Sequence, residues 1–480
     1  MQASVRQALA CFAVLLMTAC TSIPEDELER LEAIEADWRL AEPIDDSRAY
    51  SLKELQIAAI RRNPGLTALF YQYKAALQRI ILAGALDDPQ VRFGYFIDSV
   101  ETRVGPQNWK AGVSQTFPFY GKRDLRAEVA LHEGHELRES LVEERLEIAR
   151  DMARAYWDLY YLEGVEEATA RQIDLLDTVA TSIESRYQTG RATRADLLRI
   201  RMEIDRLGTE LANLLERKRE GFGRMNALLD REATAPCTPA FPDSPDAEEP
   251  AMPELSAGEL LPLAREFGPV RVRAHRILRQ EAAVLLAELG YFPDLTLGYD
   301  YISTGRAATP SGAMGSATVS DSGKDPQILG FGLNLPIWWN KNAARVDQAK
   351  DLLDAERASR RKLIRGAEEG ILRAVAQARE AEQKHRLYVD LLIPQAEERL
   401  RLVEPAYSSN QVDIDQLVAA EIAVLDLRIM KLKSLRDREV SLAEVDYLTA
   451  GQLRLPPARP AGAEDIPEVQ DMTADEQIEP

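Results

Sequence analysis

Gln115-Thr116-Phe117-Pro118 is followed by Gly121-Lys122-Arg123, and Asn334-Leu335-Pro336 is followed by Asn340-Lys341-Asn342. Each stretch closes a run of alternating apolar and polar residues and opens a long pattern of helical period. Other pairs of segments share the offset. Arg186-Tyr187-Gln188-Thr189-Gly190 leads to Asp196-Leu197, as Ala406-Tyr407-Ser408-Ser409-Asn410 leads to Gln416-Leu417. Asn63-Pro64 heads a helical pattern, as Gly268-Pro269 does. The offset is about 205 to 220 residues each time, which marks a duplication of one large unit rather than a solenoid of short repeats.

The alternation predicts two strands per unit. Val91, Phe93, Tyr95 and Ile97 share one face; Trp109, Ala111, Val113 and Phe117 share another, opposite Lys110, Gly112, Ser114 and Thr116. In the second unit Leu295, Leu297, Tyr299 and Tyr301 alternate with Thr296, Gly298 and Asp300, and Leu329, Phe331, Leu333 and Leu335 alternate with Gly330, Gly332 and Asn334. Such runs suit tilted membrane strands with an apolar outer face and a polar inner one. Period 2 equally describes a half-buried hairpin of a soluble domain. The connection Ser99 to Asn108 is short; Ser303 to Gln327 is long and rich in Gly, Ser, Thr and Ala.

Between Pro118 and Pro236 there is no proline, and a helical period holds from about Asp124 to Tyr187. Leu141, Ile148, Met152, Ala155 and Leu159 lie on its apolar stripe, and Ala127, Ala130, Ala149, Ala153 and Ala168 permit close helix packing. Roughly 64 residues make a helix about 95 Å long, deeper than one globular core, so it requires coiled-coil partners or an elongated barrel. The matching helix after Asn342 contains Pro394 and Pro405, and Pro394 is expected to kink it.

These patterns divide the chain into a signal peptide (1–19), an N-terminal segment (20–50), a first repeat (51–232), a linker (233–255), a second repeat (256–455) and an acidic disordered tail (456–480). Six prolines between Ala233 and Pro253 forbid a regular element there and define the linker. The fold class is α+β.

Composition narrows the function. The 480 residues carry a net charge of −20, with no basic excess to bind nucleic acid. After the N-terminus no run of about 20 apolar residues offers a membrane helix. Three Cys and four His do not make a disulfide or zinc framework. His132-Glu133-Gly134-His135 has an i,i+3 spacing rather than that of a zinc-protease helix, shows no third ligand, and reads as a solvated helix face. No phosphate loop, nucleophile elbow or catalytic carboxylate pair is found, so no enzyme activity, metal or cofactor is expected.

The N-terminus reads as a targeting segment. Arg6 precedes an apolar stretch from Ala8 to Met17, too short to span a bilayer. Leu16-Met17-Thr18-Ala19-Cys20 resembles a bacterial lipobox, which implies acylation (palmitate included) of Cys20; plain secretory cleavage near Ala19 is the alternative. Thr21 in place of an aspartate favours the outer membrane.

The order of strand pair, proline exit, long helix and Tyr-x-x-Gly/Asn turn, twice over, resembles the TolC-like outer-membrane efflux family, from about Ser51 to Leu455. The resemblance implies a homotrimer: a 12-stranded β-barrel in outer-membrane lipid, four strands per chain, continued by a long α-helical coiled-coil barrel through the periplasm. It implies the exit duct of a tripartite efflux pump, whose partners are a periplasmic adaptor (membrane fusion protein) and an inner-membrane transporter, proton-driven in the leading reading. A duct for type I protein secretion and a non-channel periplasmic coiled-coil lipoprotein without strand pairs are the alternatives. Gly121-Lys122-Arg123 resembles the heavy-metal branch of the family. By resemblance the periplasmic tip, with its gate, falls at Tyr187, Gly190 and Asp196 and at Tyr407, Asn410, Asp413, Asp415 and Gln416. Asp196 matches the family's gate aspartate; Gln416 and Ala419 stand at the acidic positions of the second repeat, with Asp413 and Asp415 close by. Asp196 also reads as an acid at the positive end of a helix. Pro118, Pro336, Trp338 and Trp339 fall at the barrel–helix junction, where Trp338-Trp339 and Phe119-Tyr120 are either interfacial anchors or core packing.

Overall fold

The computed structural model describes residues 22–40, 43–190, 192–241, 252–307, 321–409 and 411–452. The expected signal peptide, Cys20, Asn410, the middle of the Ser303 to Gln327 loop and the acidic tail lie outside them. In order the elements are α1 (Glu25–Trp38), β1 (Ala49–Tyr50), α2 (Leu52–Arg62), α3 (Pro64–Gly84), β2 (Gln90–Thr102), β3 (Gly105–Phe117), α4 (Lys122–Gln188), α5 (Arg194–Leu228), β4 (Thr238–Pro239), α6 (Ala257–Leu260), α7 (Gly268–Glu288), β5 (Leu295–Thr304), β6 (Gln327–Leu333), α8 (Trp339–Leu387), α9 (Ile393–Ser408) and α10 (Ile414–Leu448). They form two compact units. One takes Gln72–Glu136 and Arg273–Ser359 with the chain up to Glu29; the other takes Arg30–Tyr71, Leu137–Val272 and the chain from Arg360. Each unit therefore draws on both sequence repeats.

The first unit holds a four-stranded antiparallel sheet of order β2-β3-β5-β6. The non-channel alternative, which has no strand pairs, is thereby excluded. The register lines up Val91, Val113, Tyr299 and Leu329 across all four strands, and Arg92, Gly112, Asp300 and Ile328 in the next row. Side chains alternate between faces along a strand, so the first row is one face and the second the other. The first hairpin is longer than the alternation indicates. Its strands run on to Thr102 and from Gly105, leaving only Arg103 and Val104 between them. Gly105, at φ +134, makes this turn possible: a Cβ there would stand 1.8 Å from the carbonyl oxygen of Gly305.

The helices of the second unit pack by small residues. On α8, Ile364, Ala367, Ile371, Ala374, Ala378 and Ala381 are buried at alternating spacings of three and four, the seam of a coiled coil. Ala367, Ile371, Ala374 and Ala378 meet Leu442, Val445 and Leu448 of α10 in one cluster. The stripe of α4 is buried as its period indicates, from Leu141 through Ile148, Met152 and Ala155 to Leu159. At 67 residues α4 is about 100 Å long. Ahead of Pro394, where the proline predicts a kink, the structure has a π-helical stretch, Tyr388–Leu392, between α8 and α9. A proline without an N–H, two places beyond, favours such a local rewinding.

The linker is not devoid of regular structure. Within 233–255, β4 pairs in parallel with β1, Ala49 opposite Thr238 and Tyr50 opposite Pro239. A two-stranded edge needs no N–H from Pro239, and Ala240 supplies the next one, donating to the Tyr50 carbonyl at 2.7 Å. Tyr156 donates its hydroxyl to Ala240 O at 2.5 Å, and Phe241 packs on the rings of Tyr156 and Tyr160.

Candidate functional site

One face of the sheet is apolar and open. Val91, Phe93, Tyr95, Ile97, Leu329, Phe331 and Leu333 are all exposed, Ile97 at 91%. Phe93 stacks on Trp109 at 5.9 Å, and Trp109 lies 5.5 Å from Tyr301, an aromatic row near one end of the strands. The opposite face carries Ser114, Thr116, Thr296, Gly298, Gly330 and Gly332, with Thr116 and Thr296 hydroxyls 3.0 Å apart. A contiguous apolar face of this extent has to be covered by something apolar. β2 and β6 each keep one edge unpaired among the described residues. Among the described residues no helix is long and apolar enough to cross a membrane.

Where strand becomes helix, Pro118 follows β3 directly and Pro336 follows β6 by three residues. Both remove a ladder donor at a strand exit, where the loss costs little. The junction is held by Asp294, which sequence reading missed. Its Oδ1 accepts from the Phe119 N–H at 2.9 Å and from Lys122 Nζ at 2.7 Å, its Oδ2 accepts from Asn334 Nδ2 at 3.2 Å, and its own N–H donates to Asn334 Oδ1. Burial pushes the Asp294 carboxyl up, but the Lys122 ammonium and the Phe119 N–H together hold it below its ordinary value. Phe119 stacks on Phe292 at 4.5 Å. Tyr120, Trp338 and Trp339 instead remain exposed, although the Trp339 ring lies 5.7 Å from that of Tyr291.

The two turns anticipated as a tip lie in the second unit. Leu176, Ala180 and Ile183 of α4, Ile200 and Leu207 of α5, and Ile414 and Leu417 of α10 form one buried cluster there. Gly190 caps α4 at φ +73, with its N–H on Tyr187 O. Thr193 is the N-cap of α5 and Asp196 its N3 residue. The carboxylate accepts from the Thr193 N–H and hydroxyl, both at 2.7 Å, and the Asp196 N–H donates back to Thr193 Oγ1 at 3.3 Å. The helix-terminus reading of Asp196 is thus realised in one chain. Asp413 caps α10 without a side-chain bond, and Gln416 donates its N–H to Asp413 O. Two arginines absent from the sequence-derived set join the turns: Arg186 lies over the Tyr407 ring at 4.7 Å, and Arg199 pairs with Asp415 at 2.9 Å. Nearby Glu421 is buried; burial, with Glu404 second and against Arg428, pushes its carboxyl up to about 7.

The solvated-face reading of His132 and His135 is corrected. Both are half-buried, and buried His275 of α7 joins them. The His135 ring lies 5.1 Å from that of His275 and 5.8 Å from that of His132. The third histidine is about 140 residues away, and no local spacing could have announced it.

The model of the family described as outer membrane efflux protein matches residues 57–220. No curated protein matches the sequence. Among solved structures, the outer membrane protein VceC of Vibrio cholerae aligns with TM-score 0.66 and 18% identity over 83% of this chain and 96% of its own. The MtrE outer membrane channel of Neisseria gonorrhoeae aligns with TM-score 0.66 and 18% identity over 84% and 89%. CusC aligns with TM-score 0.69 and 14% identity over 86% and 95%. Residues 57–220 therefore match the outer membrane efflux protein family model, and the chain has the fold of the outer-membrane efflux channels.

Proposed function

We propose that three copies of this chain form a passive outer-membrane exit duct of a tripartite efflux system. The observation that carries this reading is the sheet: apolar on one face, Gly, Ser and Thr on the other, unpaired at both edges among the described residues. Unpaired strand edges are intolerable in hydrocarbon, and four strands are too few to close a barrel alone. Three chains supply twelve strands, the apolar rows face lipid, and the polar rows face a lumen. The long helices continue the lumen into the periplasm. The duct serves an inner-membrane transporter, proton-driven in this reading, through a periplasmic adaptor that docks at the helix turns.

In this reading the turns at Tyr187, Gly190 and Asp196 and at Tyr407, Asn410, Asp413, Asp415 and Gln416 are the periplasmic gate. Pro118, Pro336, Trp338 and Trp339 mark the barrel–helix junction, and Cys20 carries the lipid anchor. Native mass spectrometry of the protein extracted from the outer membrane tests both assembly and anchor. The expected species is a trimer whose chains begin at an acylated Cys20. A monomer overturns the duct; an unmodified Cys20 overturns the anchor alone.

A further inference from the structure

We propose that His132, His135 and His275 form a binding site for one divalent transition-metal ion of the zinc class, tying α4 to α7. One nitrogen from each ring lies within 4.8 Å of the others. Nitrogens on a tetrahedral zinc stand about 3.3 Å apart, as bonds of about 2.0 Å require, so small side-chain rotations close the set. His132 and His135 are three apart on α4, which puts both on one face of the helix. His275 reaches them from α7, and one turn along, Glu136 of α4 binds Arg276 at 2.9 Å and Arg279 at 3.0 Å, fixing the two helices at this level.

The chemistry of the rings suits a metal. His132 Nδ1 is buried with no hydrogen-bond partner among the described residues, a position that costs stability unless something accepts its lone pair or proton. His135 Nε2 lies 3.2 Å from Glu27 Oε1, and the other oxygen of Glu27 accepts from the buried Tyr73 hydroxyl. A carboxylate on the far nitrogen of a histidine fixes its tautomer and leaves Nδ1 to ligate, the usual second shell of a zinc-bound imidazole. Three imidazoles select the zinc, copper and nickel group over calcium or magnesium, and they leave one coordination position for water. Glu27, His132, His135 and His275 all belong to the first unit.

The test uses the tag-free, detergent-solubilised full-length protein, titrated with Zn2+ by calorimetry and with Co2+ by visible absorption. The only other histidine is His385, which bonds to Ser434, so background binding is low. One Zn2+ per chain is expected, with the intense d–d bands of tetrahedral Co2+ and a rise in apparent Tm of a few degrees in excess Zn2+. His275→Asn should abolish the Co2+ bands, Glu27→Gln should weaken Zn2+ about 10- to 100-fold, and His385→Asn should change neither. Absence of Co2+ bands in the unmodified protein overturns the site, whether or not the variants fold. So does a folded His275→Asn protein that binds Zn2+ as tightly as the unmodified one.

Discussion

Asp294 accepts from a backbone N–H and an ammonium at once, and its carboxyl sits below its ordinary value. Stability from such a depressed acid is complete above its unfolded value and is lost as pH falls through the lower folded one. Asp294→Ala should therefore cost about 2 kcal/mol near neutral pH, the worth of hydrogen bonds to a charged group, and progressively less in acid. Thermal denaturation across pH checks this, and a pH-independent cost would contradict it. Glu421 has the opposite sign. Its folded value, about 7, lies above the ordinary 4.5, so it contributes no penalty below the ordinary value, a growing one between the two, and the full one above the folded value. Glu421→Gln should raise the apparent Tm in mildly alkaline solution, by the equivalent of about 3 kcal/mol, and leave it unchanged in acid. Neither residue was legible in the sequence. Each acquires its character from partners brought in by the fold: Lys122 lies 172 residues from Asp294, and Glu421 owes its shift to burial.

At the scale of the element, the alternation placed each strand and the proline exits placed each helix start to within a few residues. Period 2 and period 3.6 are set by the backbone alone, which is why Val91 to Ile97 and Leu141 to Leu159 could be read directly. Where a single backbone angle or a distant partner decides, the sequence was silent. The close turn at Gly105, the pairing of Thr238 with Ala49 across a proline-rich segment and the π turn before Pro394 are of that kind. His275 joining His132 is the same case for a side-chain cluster. The sheet itself yields a sharp test. Leu329 shares its row with Val91, Val113 and Tyr299, whereas its neighbour Ile328 shares one with Arg92 and Asp300. If the first row faces lipid, Leu329→Arg should cost about 2 to 4 kcal/mol or block outer-membrane assembly, and Ile328→Arg should be tolerated. Equal effects of the two on assembled protein in outer-membrane fractions would contradict the assignment of faces.

At the scale of the molecule, the proposed duct would bring three Asp196 carboxylates close together around one axis, and like charges would oppose closure unless donors compensate. Within one chain Asp196 is committed to Thr193 and Tyr407 lies under Arg186, so in the proposed duct a docking adaptor would have these contacts to exchange. Tyr407→Phe combined with Asp196→Ala should loosen the constriction, and cells carrying it should become sensitive to large antibiotics. The most direct test of the duct is single-channel conductance of the purified protein in planar bilayers. The account predicts small, uniform steps that multivalent cations block, and larger, less blocked steps from the Asp196→Ala/Tyr407→Phe double variant. Bilayers that stay silent with both proteins would contradict a conducting trimer.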